Sequence, residues 1–67
     1  MRFEVLSPDG ISIEGISYRS RQAALRALER WVKRYEWQGF YSTVRWKRIP
    51  LEDLPGRCRL VEEPEGT

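Results

Sequence analysis

The chain predicts an α+β domain: an antiparallel sheet of three or four strands with one helix packed on one face, in the order β-β-α-β-β. Three observations lead there. Apolar and polar residues alternate near both ends of the chain. Roughly Arg21 to Gln38 runs without proline or glycine. Turn-forming residues bracket these segments.

In chain order, Phe3 and Val5 alternate with Arg2 and Glu4, the period of a strand with one buried face. Ser7-Pro8-Asp9-Gly10 then places proline second and glycine fourth in a type I turn, so the chain reverses. Ile11 and Ile13 alternate with Ser12 and Glu14, but beyond Gly15 the apolar set moves to Ile16 and Tyr18, which predicts a bulge at Gly15. Ser20 suits a helix N-cap, and Gly39 suits the position just past the helix end. At about 100° per residue, Ala24, Leu25, Ala27, Leu28, Trp31, Val32 and Tyr35 share one apolar arc, the expected core face. Glu29 lies one turn before Lys33, the orientation that supports an ion pair.

After the helix, Phe40 to Ile49 is aromatic and β-branched and predicts a strand in which Val44 and Trp46 alternate with Arg45 and Lys47. Pro50 to Gly56, bracketed by prolines, reads as one short helical turn with Leu51 and Leu54 inward. Arg57 to Glu62 is the last strand, with Cys58 and Leu60 on one face and Arg57, Arg59 and Val61 on the other. This makes 1–62 a single domain and 63–67 a disordered acidic tail. Pairing of the last strand with a second copy would complete the fold as a homodimer.

A chain of 67 residues builds a thin core, and small domains commonly reinforce theirs with disulfides, a metal or a partner chain. One cysteine, Cys58, forms no internal bridge, and the absence of histidine removes the usual zinc ligand sets, so no metal or cofactor is expected. Cys58 also lacks the base that would activate it as a nucleophile, and it reads as a core thiol. No phosphate loop or catalytic constellation is present, which predicts a protein that is not an enzyme. No apolar run could span a bilayer, and Met1-Arg2-Phe3-Glu4 lacks the order of a signal peptide, so the expectation is a cytoplasmic protein with no membrane partner.

The net charge of +2 conceals a division. Residues 1–18 carry −2, residues 19–48 carry +7 and residues 49–67 carry −3, and ten of the twelve basic residues are arginine. Arginine suits bidentate and stacked contacts with phosphates, carboxylates and protein surfaces. Three clusters in this basic region are candidate sites. On the helix face opposite Leu28, Arg26, Arg30, Lys33 and Arg34 surround Trp37, a surface for an acidic protein or a nucleic acid, or else a solvated face with Trp37 folded under Phe40 and Tyr41. Arg19 and Arg21 flank the helix start, where free N–H groups could add to an anion site. On the sheet, Arg45, Lys47, Arg57 and Arg59 would share a face, with Glu4 and Glu14 interleaved among them or an external anion between them.

The run Ser20, Ala23, Ala24, Trp31, Arg34-Tyr35, Gly39-Phe40-Tyr41-Ser42, Arg48-Ile49-Pro50-Leu51, Leu54 and Cys58 resembles that of short bacterial proteins of uncharacterised function that open on a strand and a Pro-Asp-Gly turn. The resemblance covers most of the chain and implies a compact α+β module. It brings no activity, cofactor or partner. The expectation is therefore a non-enzymatic, protein-binding interaction module, with nucleic-acid binding through 19–48 and a structural homodimer as alternatives.

Overall fold

A computed structural model describes residues 1–64, and its order is β1 (Arg2–Leu6), α1 (Arg21–Lys33), β2 (Phe40–Ser42), β3 (Arg48–Pro50), α2 (Leu54–Arg57) and β4 (Arg59–Glu63). The class is α+β, but the strands divide differently from the expected single sheet. They form two antiparallel pairs, β1 with β4 and β2 with β3.

The segment expected as the second strand follows β1 without forming a regular ladder. Ser7 N–H donates to Ile11 O (2.8 Å), Ile13 N–H to Val5 O (3.0 Å), and Phe3 and Tyr18 exchange bonds of 2.9 and 2.7 Å. Between Ile13 and Tyr18 the chain leaves β1 through Gly15, at φ 71°. The bulge therefore extends over several residues, turning Ile13 and Tyr18 inward and leaving Ile16 exposed. β1 takes its ladder partner from the far end of the chain, with Arg2 opposite Glu63 and Leu6 opposite Arg59. β4 thus runs to Glu63, one residue past the expected domain boundary, and residues 65–67 of the expected tail lie outside the described residues.

Ser20 caps α1 as its type suggests, accepting from Ala23 N–H at 3.1 Å. Ala24, Ala27 and Trp31 are buried, and Leu28, Val32 and Tyr35 pack against them, whereas Leu25 at the edge of the arc is exposed. Regular α-helix stops at Lys33, short of Gln38. Beyond it Arg34, Tyr35 and Glu36 donate to Trp31, Val32 and Lys33, bonds spanning three residues that tighten the last turns. Gly39, at φ 84°, closes this run and donates to Tyr35 O (2.9 Å). Glu29 and Lys33 are not joined in an ion pair.

The core comprises Val5, Ile13, Tyr18, Ala24, Ala27, Trp31, Ile49 and Leu54. Leu54 is fully buried on α2 and Leu51 half-buried beside it, as the proline-bracketed turn predicts. The expected strand from Phe40 to Ile49 is instead a hairpin. Tyr41 faces Ile49 across it toward the core, while Phe40 and Arg48 lie on the outer face, with the guanidinium 4.6 Å from the ring centre.

Candidate functional site

Two turns of the chain are built alike. In the first, Gly10 N–H donates to Ser7 O (2.8 Å) and Ser7 N–H to Ile11 O (2.8 Å). The Ser7 hydroxyl accepts from Asp9 N–H (3.2 Å) and Ile11 N–H (3.4 Å). In the second, Trp46 N–H donates to Thr43 O (2.9 Å) and Thr43 N–H to Lys47 O (2.9 Å). The Thr43 hydroxyl accepts from Arg45 N–H (3.3 Å) and Lys47 N–H (3.1 Å). Both are three-residue hairpin loops, a type I turn followed by a residue in the left-handed region.

The first turn fills that last position with Gly10 (φ 81°) and the second with Trp46 (φ 65°). A left-handed conformation costs a residue with a Cβ about 1–2 kcal/mol. Trp46 recovers little of that by packing, since it is 87% exposed. Trp46→Gly is therefore expected to raise stability by about 0.5–1 kcal/mol, seen as a higher urea midpoint, whereas Gly10→Ala lowers it by about 1 kcal/mol. A loss of stability in Trp46→Gly would mean that contacts hold the indole in place.

Asp9 ties the two turns together. Its Oδ2 accepts from the Tyr41 hydroxyl at 2.6 Å and its Oδ1 from Val44 N–H at 3.1 Å. Tyr41 in turn packs with Trp31 and Tyr35, the three ring centres lying 5.1–5.2 Å apart pairwise. The position of the second turn is thus carried from the helix through an aromatic triad to one carboxylate.

Burial, and then the bond to Asp9, pushes the Tyr41 phenol up to about 12 from the ordinary 10.0. Burial, and then the bond its hydroxyl donates to Glu14 (2.7 Å), pushes Tyr18 equally far. Both phenols hold their protons more tightly folded than unfolded. Their stabilisation is complete below about pH 10 and is lost as pH rises toward about 12. The urea midpoint is expected to fall across that window, less steeply in Tyr41→Phe. A flat profile would contradict the assignment.

Between the two turns lies a cleft of about 500 Å³, walled by Arg45, Lys47, Arg48 and Arg57 together with Asp9 and Val44. None of the four cations makes an ion pair among the described residues. Among the described residues Asp9 is the one carboxylate on the wall, and its oxygens accept from two neutral donors, the Tyr41 hydroxyl and Val44 N–H. Four cations therefore face one carboxylate that pairs with none of them, and the wall keeps an excess of positive charge. A second cavity, about 170 Å³ under Trp31, Tyr35 and Tyr41, has no charged side chain on its wall among the described residues.

The three clusters expected from sequence fare differently. Arg45, Lys47 and Arg57 meet at the cleft, while Arg59 lies outside it, on β4 opposite Leu6. Neither Glu4 nor Glu14 lines the cleft, although the register puts Glu4 on the same face of the β1–β4 pair as Arg59. Glu14 is taken by the helix, accepting Arg30 at 3.3 Å and pairing with Arg34 at 3.7 Å. Glu4 stands beside Glu63, whose hydrogen bond and charge raise its pKa. The helix face is thus partly neutralised, leaving Arg26 and Lys33 exposed and, among the described residues, outside any ion pair.

Trp37 does not fold under Phe40 and Tyr41. It is 83% exposed and belongs to the tightened turns after α1, where the wheel of a regular helix no longer places it. At the helix start, the candidate anion site, Arg21 reaches Glu62 at 3.7 Å and Arg19 is exposed. Burial pushes the Cys58 thiol up to about 11. Among the described residues no group of three or more acidic or thiol side chains gathers as a metal site. No helix of the described chain is long and apolar enough to cross a membrane.

Sequence reasoning missed Arg48 and Asp9 as site residues, and it placed Val44 and Trp46 inside a strand, whereas both are exposed at a hairpin tip. The hydroxyl that opens each turn, three residues before Gly10 and before Trp46, is the signal that could have revealed the second loop.

The fold and cleft describe a small α+β protein with a cleft between two matched turns in which four cations face one carboxylate. The chain matches no family model, no curated protein and no solved structure.

Proposed function

We propose that the chain is a non-enzymatic interaction module that meets an anionic partner with the tip of the β2–β3 hairpin and the cleft beside it. The observation that supports this is the excess of positive charge. Arg45, Lys47, Arg48 and Arg57 share one wall, and Asp9, the single carboxylate there among the described residues, offsets only one of the four charges. Beside them Trp46 keeps a conformation that favours glycine, with its side chain in solvent. Backbone strain of this kind clusters at functional sites. Arginine and tryptophan are also the side chains most enriched at binding hot spots. The same proposal takes the protein as bacterial and cytoplasmic.

Heparin chromatography separates a local site from mere net charge. Arg45→Gln/Lys47→Gln/Arg48→Gln and Arg26→Gln/Arg30→Gln/Arg34→Gln remove equal charge from the hairpin and from the helix. The hairpin triple is expected to elute at markedly lower salt than the helix triple, both remaining folded by circular dichroism. Equal shifts would overturn the hairpin as the contact surface.

A further inference from the structure

We propose that the anionic partner is single-stranded nucleic acid, its phosphates held by Arg45, Lys47, Arg48 and Arg57 and one base stacked on Trp46. This rests on the reading of the cleft as the contact surface. Three features select the partner.

The first is the wall of the cleft. Its four cations outnumber its apolar side chains Pro8, Val44 and Ile49. The core of a protein–protein contact takes single arginines among apolar side chains rather than a wall on which cations predominate, whereas a groove that tracks a phosphate backbone is built from such a wall.

The second is Trp46. It does not line the cleft itself but stands in the chain between Arg45 and Lys47, which do, and its solvent-exposed indole offers a π face that any base accepts, stacking that tolerates any sequence. An acidic peptide brings charge to the groove but no ring for the indole. In a duplex each base already stacks on its neighbours, so its faces are closed to an inserted Trp46. An unpaired strand leaves them open.

The third is rigidity. Thr43 fixes the loop backbone through both its own backbone and its hydroxyl, and Asp9 holds Val44 N–H, so the backbone that carries Arg45, Trp46 and Lys47 is set before binding. Preorganisation lowers the entropy lost on binding.

The test is fluorescence anisotropy with four labelled probes: a thymidine dodecamer, the same strand made abasic and an oligoglutamate, all of equal charge, and a duplex long enough to stay paired, compared at matched phosphate concentration. The wild type is expected to prefer the base-bearing strand over the other three. With four phosphates neutralised, affinity should fall about 50-fold between 50 and 200 mM salt, from a slope of about −0.7 per phosphate on a single strand. Trp46→Gly keeps a conformation suited to its position, so its fold is not at risk. It should weaken binding to the base-bearing strand about 5- to 150-fold and leave the abasic strand unaffected.

Equal affinity for the base-bearing and abasic strands overturns the stacked base. Tighter binding of oligoglutamate or duplex overturns the single strand as partner while leaving the cleft as the contact surface. If Arg45→Gln/Lys47→Gln/Arg48→Gln/Arg57→Gln binds every probe as the wild type does, this inference and the contact surface fall together.

Discussion

Asp9→Ala is expected to lower stability by about 2–3 kcal/mol, because it removes one carboxylate that accepts two hydrogen bonds from elements distant in sequence. A domain of this size commonly has only about 3–5 kcal/mol from its core. The urea midpoint should therefore fall to near the edge of folding. The loss should be shared with Tyr41→Phe, and a double-mutant cycle is expected to show coupling of about 1 kcal/mol or more. Additivity within about 0.5 kcal/mol would show that the bond contributes nothing of its own. Hydrogen exchange supplies a second readout. The Val44 amide, bonded to Asp9 Oδ1, should lose protection in Asp9→Ala before the amides of α1 do. Asp9→Asn keeps an acceptor oxygen and should lose about half as much.

Trp31→Ala is the second large effect, about 3–5 kcal/mol, enough to leave most of the chain unfolded at room temperature. Trp31 is 5% exposed and touches the rings of both Tyr35 and Tyr41. Its removal opens a cavity and also frees the ring that carries Asp9. Near-ultraviolet circular dichroism should lose its aromatic signal together with the far-ultraviolet helix signal. Trp31→Phe fills part of the space and should retain the fold with a lowered midpoint. An alanine variant with wild-type stability would mean that the triad does not organise the core.

The two effects meet in one line of support, from α1 through Trp31 and Tyr41 to Asp9 and from there to both turns. This line places the cleft. The cations themselves do not hold the site together, since like charges on one wall repel. They are assembled by neutral and carboxylate contacts behind them, at a cost in stability that an anionic partner would offset on binding.

Much of the scaffold was legible in the chain. Ser20 as a cap, Ser7-Pro8-Asp9-Gly10 as a turn, Ala24, Ala27 and Trp31 as the buried stripe, and Leu54 as the inward residue of a short helical turn all follow from chemistry within about four residues. The candidate site was legible only in part. Arg45, Lys47 and Arg57 could be grouped by alternation, but the strand assumed for that grouping is a hairpin, and its loop carries no glycine or proline to announce it.

What the sequence by itself determined was therefore the helix and its core face, the first turn and the concentration of arginine in the middle of the chain. Only the tertiary structure decided which charges remain uncompensated. Glu14 meets Arg30 across 16 positions and Asp9 meets Val44 across 35, and β1 pairs with β4 from the opposite end of the chain. No local rule specifies partners so far apart. Packing chose them, neutralising part of the helix face that periodicity marked as basic and leaving the hairpin's cations, with Trp46 beside them, open to solvent.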